Sequence, residues 1–249
     1  MAESVPYHRP VLEAEVIGVL APAASKTLLD GTVGLGGHAA AWLAASAPSG
    51  RVIGLDRDPE ALKVAEERLA PFAGRVALIH ADYRDAIEVL SARGMGPPDA
   101  VLLDLGLGSH QVEDPARGFS FRFDAPLDMR FDRSTPGRTA ADILNHAPEP
   151  ELFRIFEEYG EQPGARRLAR VIAESRRRAP FRTTGDLARI VRATFPPRGR
   201  QRLDPSTLVF QALRIAVNEE LDGLDEAIEA LVRWLPPGGR VAIVAFHSL

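Results

Sequence analysis

The chain contains no cysteine. That excludes disulfides and thiolate metal sites, and it suits a reducing cytoplasm. Lysine is nearly missing as well, at Lys26 and Lys63 alone, so almost all positive charge is arginine. No stretch approaches the roughly 20 apolar residues that a membrane helix needs. The N-terminal segment from Met1 to Pro10 lacks the apolar core of a signal peptide. No spacing of potential ligands argues for a metal, and there is no internal repeat or low-complexity tract. A soluble, cytoplasmic protein with no membrane partner is expected.

What is present suffices for one large domain or two modest ones: 249 residues, 45% hydrophobic. The first half alternates short apolar runs with helical patterns. Strands are expected at Thr27–Asp30, Arg51–Asp56, Val76–Ile79 and Asp99–Asp104, and helices at His38–Ala47, from Asp58-Pro59, and at Ala86–Arg93. Strands alternating with helices imply a parallel sheet covered on both faces. After Asp104 the rhythm breaks. Turn-rich stretches lead to helical patterns at 150–159, 164–178 and 184–194, then a loop from Phe195. One long helix is expected from Leu208 to Leu235, followed by a fifth strand at Arg240–Phe246. The expectation is an α/β domain formed by residues 1–111 and 209–249, with an inserted helical domain at 112–208. The chain stops at Leu249, just after that strand. A bare sheet edge is an aggregation hazard, so further elements are expected to cover it.

Net charge is −4, but its distribution is uneven. Between Gln162 and Arg202 there are 12 arginines against Glu174 and Asp186, a local excess of +10. A genomic or thermophile bias accounts for the arginine preference; it does not account for the clustering, which suits a polyanion-binding face. Arg166, Arg167, Arg176, Arg177, Arg178, Arg198, Arg200 and Arg202 are the candidates for phosphate contacts.

Gly34-Leu-Gly36-Gly37-His38-Ala39 fits the dinucleotide fingerprint, placed after a strand and opening a helix, with Asp56 lying 20 residues past Gly36. The glycines let the backbone approach a ligand, and the acid can accept from a ribose diol. The pattern alone serves NAD or S-adenosylmethionine equally. Asp30, at the first strand's end, could hold the ammonium of a methionine moiety and would repel a pyrophosphate. Asp82-Tyr83, after the third strand, could recognise and stack on adenine. Each acid alone could be an ordinary polar strand end; Asp30, Asp56, Asp82 and Asp104 together line the edge where α/β ligands bind.

These residues fall within blocks that closely resemble the MraW/RsmH family: His8-Arg-Pro-Val-Leu, Asp30-Gly-Thr-Val-Gly-Leu-Gly-Gly-His, Asp56-Arg-Asp-Pro-Glu-Ala, Leu103-Asp-Leu-Gly, Arg117-Gly-Phe-Ser-Phe-Arg, Pro126-Leu-Asp-Met-Arg, Tyr159-Gly-Glu, Phe210-Gln-Ala-Leu-Arg-Ile-Ala-Val-Asn-Glu-Glu-Leu, Pro237-Gly-Gly-Arg and Phe246-His-Ser-Leu. The resemblance implies a class I (Rossmann-like) methyltransferase fold with S-adenosyl-L-methionine as donor. It implies transfer to the exocyclic N4 of a cytidine in the decoding region of 16S ribosomal RNA, within the small subunit, with no DNA partner. By the same resemblance Gly36, Gly37 and His38 contact the donor, Asp56 its ribose and Tyr83 its adenine, while Asp104 and Gln111 lie on the methionine side or the neighbouring wall. The chain departs from the family pattern at Asp104-Leu-Gly-Leu-Gly-Ser-His-Gln and at Leu208, where an arginine is usual.

Asp104 is the candidate to accept a hydrogen bond from the target amino group, or equally to hold the donor's amine. A base reached by an enzyme must be unstacked, and aromatic or arginine planes commonly hold it. Arg117, Phe119, Phe121 and Arg130 are candidates for that, with packing between insert and core the alternative for the phenylalanines. His247 and Ser248 could line the same pocket. A nicotinamide oxidoreductase and a non-catalytic ribosome-assembly factor are the alternatives, separable by donor binding and by methyl transfer to 30S particles.

Overall fold

The computed structural model describes residues 10–196 and 204–245. The chain separates into two compact units, one formed by Met1–Gly106 with Gly223–Leu249 and the other by Leu107–Asp222.

The first unit begins with helix α1 (Glu13–Leu20), then β1 (Thr27–Asp30), α2 (Gly37–Ala45), β2 (Arg51–Asp56), α3 (Pro59–Leu69), β3 (Val76–His80), α4 (Ala86–Ser91) and β4 (Ala100–Asp104). The second unit holds α5 (Ser109–Glu113), α6 (Ala140–His146), α7 (Glu149–Arg154), α8 (Ala165–Ser175), α9 (Thr184–Thr194) and α10 (Ser206–Asn218). The chain returns to the first unit through α11 (Leu224–Trp234) and β5 (Arg240–Val244).

The five strands form one parallel sheet in the order β3-β2-β1-β4-β5. Neighbours in a strand point to opposite faces, and both faces of β1 are covered. Leu28 joins Val52 and Leu102 in a core with Val16, Trp42, Leu43 and Leu69. Leu29 joins Leu55, Val101 and Leu103 in a second core with Leu90 and Leu231. This two-sided burial explains why the strands read as continuous apolar runs. β1 pairs with β2 on one side and β4 on the other, so strand order reverses beside it. Ligands of open α/β sheets bind at such a switch point, outside the carboxyl ends of the strands.

The second unit is helical around its own core, which includes Leu144, Phe156, Leu168, Ile172, Leu187 and Phe210. Thr139 with Asp142 and Thr183 with Asp186 form capping boxes that start α6 and α9. The segment expected as one helix over 150–159 is α7 followed by a π-helical turn, Ile155–Tyr159.

The expected helix from 208 to 235 is two helices. Glu219 turns left-handed at φ 51°, ending α10. The side chain of Asn218 meanwhile donates to the Met129 carbonyl (2.8 Å) and accepts from Phe131 N–H (2.7 Å). The compact units divide after Gly106 and after Asp222. Helices α1, α5 and α6 are additions to the sequence reading.

Candidate functional site

The carboxyl ends of β1, β2 and β4 are tied together by hydrogen bonds through the turn that follows Asp30. Gly31 N–H donates to the Leu102 carbonyl at 2.9 Å, and Val33 N–H to the Leu55 carbonyl at 2.9 Å. Thr32 Oγ1 accepts from Asp104 N–H at 2.7 Å. Asp56 accepts from Gly34 N–H at 2.7 Å and from Asp58 N–H at 2.8 Å. Asp58 in turn caps α3. Gly36 sits at φ 76° as the residue before α2, a conformation that glycine adopts without penalty.

Gly31 is needed for a different reason. A Cβ there would stand 2.6 Å from Leu103 Cδ2 and 2.9 Å from Tyr83 Cβ. The bare backbone therefore lets Tyr83, itself buried, lie directly against the turn. Neither Gly31 nor Thr32 was singled out in the sequence, because their roles arise from strand ends far apart along the chain.

The electrostatics are unusual. Asp30 is almost wholly buried, and burial pushes its carboxyl up to about 7, with Asp104 and Asp56 adding to the rise and His38 and the Thr32 backbone bond opposing it. His38 Nε2 lies 3.6 Å from Asp104 Oδ2, beyond hydrogen-bond reach, and both ring nitrogens are buried without a hydrogen-bond partner. An orphaned buried imidazole beside two carboxylates, at the end of a glycine-rich turn, is a cradle for a polar ligand. The carboxylates select for cationic centres and hydroxyls and against a pyrophosphate. S-adenosylmethionine, with its ammonium, sulfonium and ribose diol, fits this donor set.

Asp82, expected to recognise adenine, is engaged by two arginines. Its oxygens receive Arg84 N–H at 2.9 Å, Arg84 Nε at 3.0 Å and Arg84 Nη2 at 2.6 Å, with Arg57 Nε at 3.2 Å. A carboxylate has about four acceptor positions, and these groups occupy them. The same partners hold its carboxyl below the usual range despite burial. Gln111 lies in the second unit, where its side chain accepts from Gly108 N–H at 3.1 Å and starts α5.

The structure also sorts the nucleic-acid candidates. Arg117 is only 2% exposed and donates to the Phe131 carbonyl at 2.6 Å, so it supports the insert's interior and cannot face RNA. Phe119 is likewise buried, 5.7 Å from the Phe131 ring, and Phe121 packs edge-on against Phe210. Arg130 is bound bidentately by Asp128 and reaches the Thr135 carbonyl. Arg176 donates to the carbonyls of Leu144 and Ala147 at the end of α6. These assignments correct the expectation that Arg117, Phe119, Arg130 and Arg176 offer themselves to RNA. Arg166, Arg167, Arg177 and Arg178 are exposed. Arg198, Arg200, Arg202, His247 and Ser248 lie outside the described residues. Among the described residues no cluster of three or more potential ligands could hold a metal, and no helix is long and apolar enough to cross a membrane.

A family model described as the MraW methylase family matches residues 6–249. Ribosomal RNA small subunit methyltransferase H of Geobacter sp. (strain M21) is 48% identical over 98% of this chain and 78% of its own length. The proteins of the same name from Symbiobacterium thermophilum and Syntrophotalea carbinolica are 46% and 48% identical, over 98% and 100% of this chain and 76% and 79% of theirs. Among solved structures, a SAM-dependent O-methyltransferase from Thermotoga maritima is similar at 22% identity and TM-score 0.35, over 41% of this chain and 38% of that one. The acid-lined glycine turn of a parallel α/β sheet thus sits in a chain that belongs to the MraW methylase family, a methyltransferase that uses S-adenosylmethionine.

Proposed function

We propose that this enzyme methylates small-subunit (16S) ribosomal RNA, at the exocyclic N4 of a cytidine in the decoding region, with the small subunit or its RNA as substrate in the cytoplasm. The near full-length similarity to relatives named for small-subunit rRNA methylation supports the RNA. The acid left at the mouth of the donor site supports transfer to an amino group.

When bound, S-adenosylmethionine supplies a methyl group on a sulfonium, already a good leaving group. The chain's part is alignment and acceptance of a proton. Asp56 would hold the ribose diol, and Tyr83, beside the bare backbone of Gly31, would stack on the adenine. Asp30, the most deeply buried acid of the edge, is suited to the ammonium, which would draw its carboxyl into the ionised form. Asp104 keeps 29% of its side chain exposed, with its backbone fixed by Thr32, so its carboxylate can meet an incoming base. A cytosine amino group is a weak nucleophile because its lone pair is delocalised into the ring. A carboxylate accepting its hydrogen bond returns electron density to that nitrogen and takes the proton released.

The test is incubation of 30S particles lacking the modification with labelled donor, followed by nucleoside analysis. N4-methylcytidine is expected, and label in any other nucleoside would overturn the reading. Asp104→Asn is expected to keep donor binding within a few-fold and to lose at least about 100-fold in turnover; intact turnover would remove Asp104 from the chemistry.

A further inference from the structure

Some exposed cations of this protein are countered by acids. Arg138 pairs with Glu151, Arg189 with Asp186, Arg192 with Asp204, Arg233 with Glu229, and Lys26 with Asp99. Others are not, and these are densest along one stretch. From α8 through the turn after it stand Arg166, Arg167, Arg170, Arg177 and Arg178, all exposed, with Glu174 the only acid among them. Among the described residues none of the five guanidiniums has an ion-pair partner; Arg166 rests on the Phe153 ring at 4.7 Å. Arg176, in their midst, turns inward to the α6 carbonyls and leaves the surface to the others.

The arrangement works against the helix that carries it. α8 has no acid in its first turn, where Arg166 and Arg167 face the positive end of the helix dipole. Arg166 and Arg170, one turn apart, form a like-charge pair. Local electrostatics that destabilise a helix and collect unpaired, bidentate-capable donors suit an external polyanion. We propose that this face of α8 and its following turn binds phosphates of the RNA backbone, holding the insert against the substrate without reading bases. The proposal rests on RNA being the substrate.

The test uses the full chain and in-vitro-transcribed 16S rRNA without methyl donor, with affinity followed across salt. Each lost phosphate contact lowers the log–log salt slope by about 0.7–0.9. The combined R170Q/R177Q/R178Q variant is therefore expected to lose about two units of slope, which is roughly 100-fold in affinity at 0.1 M salt. R233Q, on α11, is expected to leave slope and affinity unchanged. R170E is expected to weaken RNA binding while its melting temperature holds, since the new acid attracts Arg166 and repels Glu174, one turn to either side; a purely structural role for Arg170 would not produce that split. A slope unchanged in the triple variant, or an equal drop in R233Q, would overturn the proposal. Because binding is read without the donor, failure of methyl transfer alongside retained, arginine-dependent binding would count against the proposed reaction and leave this surface standing.

Discussion

Replacing Asp30 by asparagine isolates one buried ionisation. The folded protein keeps the Asp30 proton up to about pH 7, whereas the unfolded chain releases it near the ordinary 3.8. In that window the native state binds more protons than the unfolded state, so this group's contribution to stability falls as pH rises from about 4 and levels off above about 7. The full difference corresponds to about 4 kcal/mol at high pH. Between pH 5 and pH 8.5 the loss attributable to Asp30 is about 2–3 kcal/mol. Asparagine keeps an oxygen for the Thr32 N–H, 3.3 Å away, and has no proton to lose. The chain's two tryptophans, Trp42 on α2 and Trp234 on α11, both belong to the sheet unit. Urea unfolding followed by their fluorescence therefore reads the unit that contains Asp30. The gap between Asp30→Asn and the parent is expected to move by about 2–3 kcal/mol in favour of the variant from pH 5 to pH 8.5. Two stability curves that run parallel across this range would refute the assignment, whatever their absolute offset.

Gly31→Ala would place a methyl against Leu103 and Tyr83; it is expected to lower stability by about 1–3 kcal/mol and to weaken donor binding, checked by urea unfolding and calorimetry. Unchanged values would show that the turn tolerates a side chain. Arg117→Met is expected to cost the insert about 1–3 kcal/mol by orphaning the Phe131 carbonyl. Hydrogen exchange in α6–α10 should speed up, while the salt slope of RNA binding stays as in the parent; a reduced slope would return Arg117 to the RNA surface.

The sheet unit was legible in the sequence because its strands are short apolar runs, each closed by an acid or a turn. Two-sided burial makes such runs conspicuous, and the Asp58-Pro59 start of α3 is a local signal that needs no tertiary context. The break between α10 and α11 was not legible. Asn218-Glu219-Glu220 is compatible with a helix, and what ends it is the bonding of Asn218 to Met129 and Phe131, far away in sequence. Charge placement was legible only in bulk. Composition located the arginine excess, but whether a given guanidinium faces water or an interior carbonyl depends on packing, as Arg176 and its neighbour Arg177 show. The partners of Asp82 are hidden for the same reason: Arg57 and Arg84 are unremarkable in the sequence, and the fold brings them to its carboxylate.

The pairing of β4 with β5, Ala100 against Arg240 through Asp104 against Val244, joins strands separated by roughly 135 residues. Closing so long a loop of flexible chain is entropically expensive and slow, since non-local contacts are rewarded only after closure. The helical unit lies wholly within that loop and has its own core and capping boxes. Once it has folded, only short linkers remain flexible. If some ten residues stay free, the remaining closure is easier by about 2 kcal/mol. An insert that folds first would shorten the flexible loop to be closed before the last strand seats beside the strand that ends in Asp104.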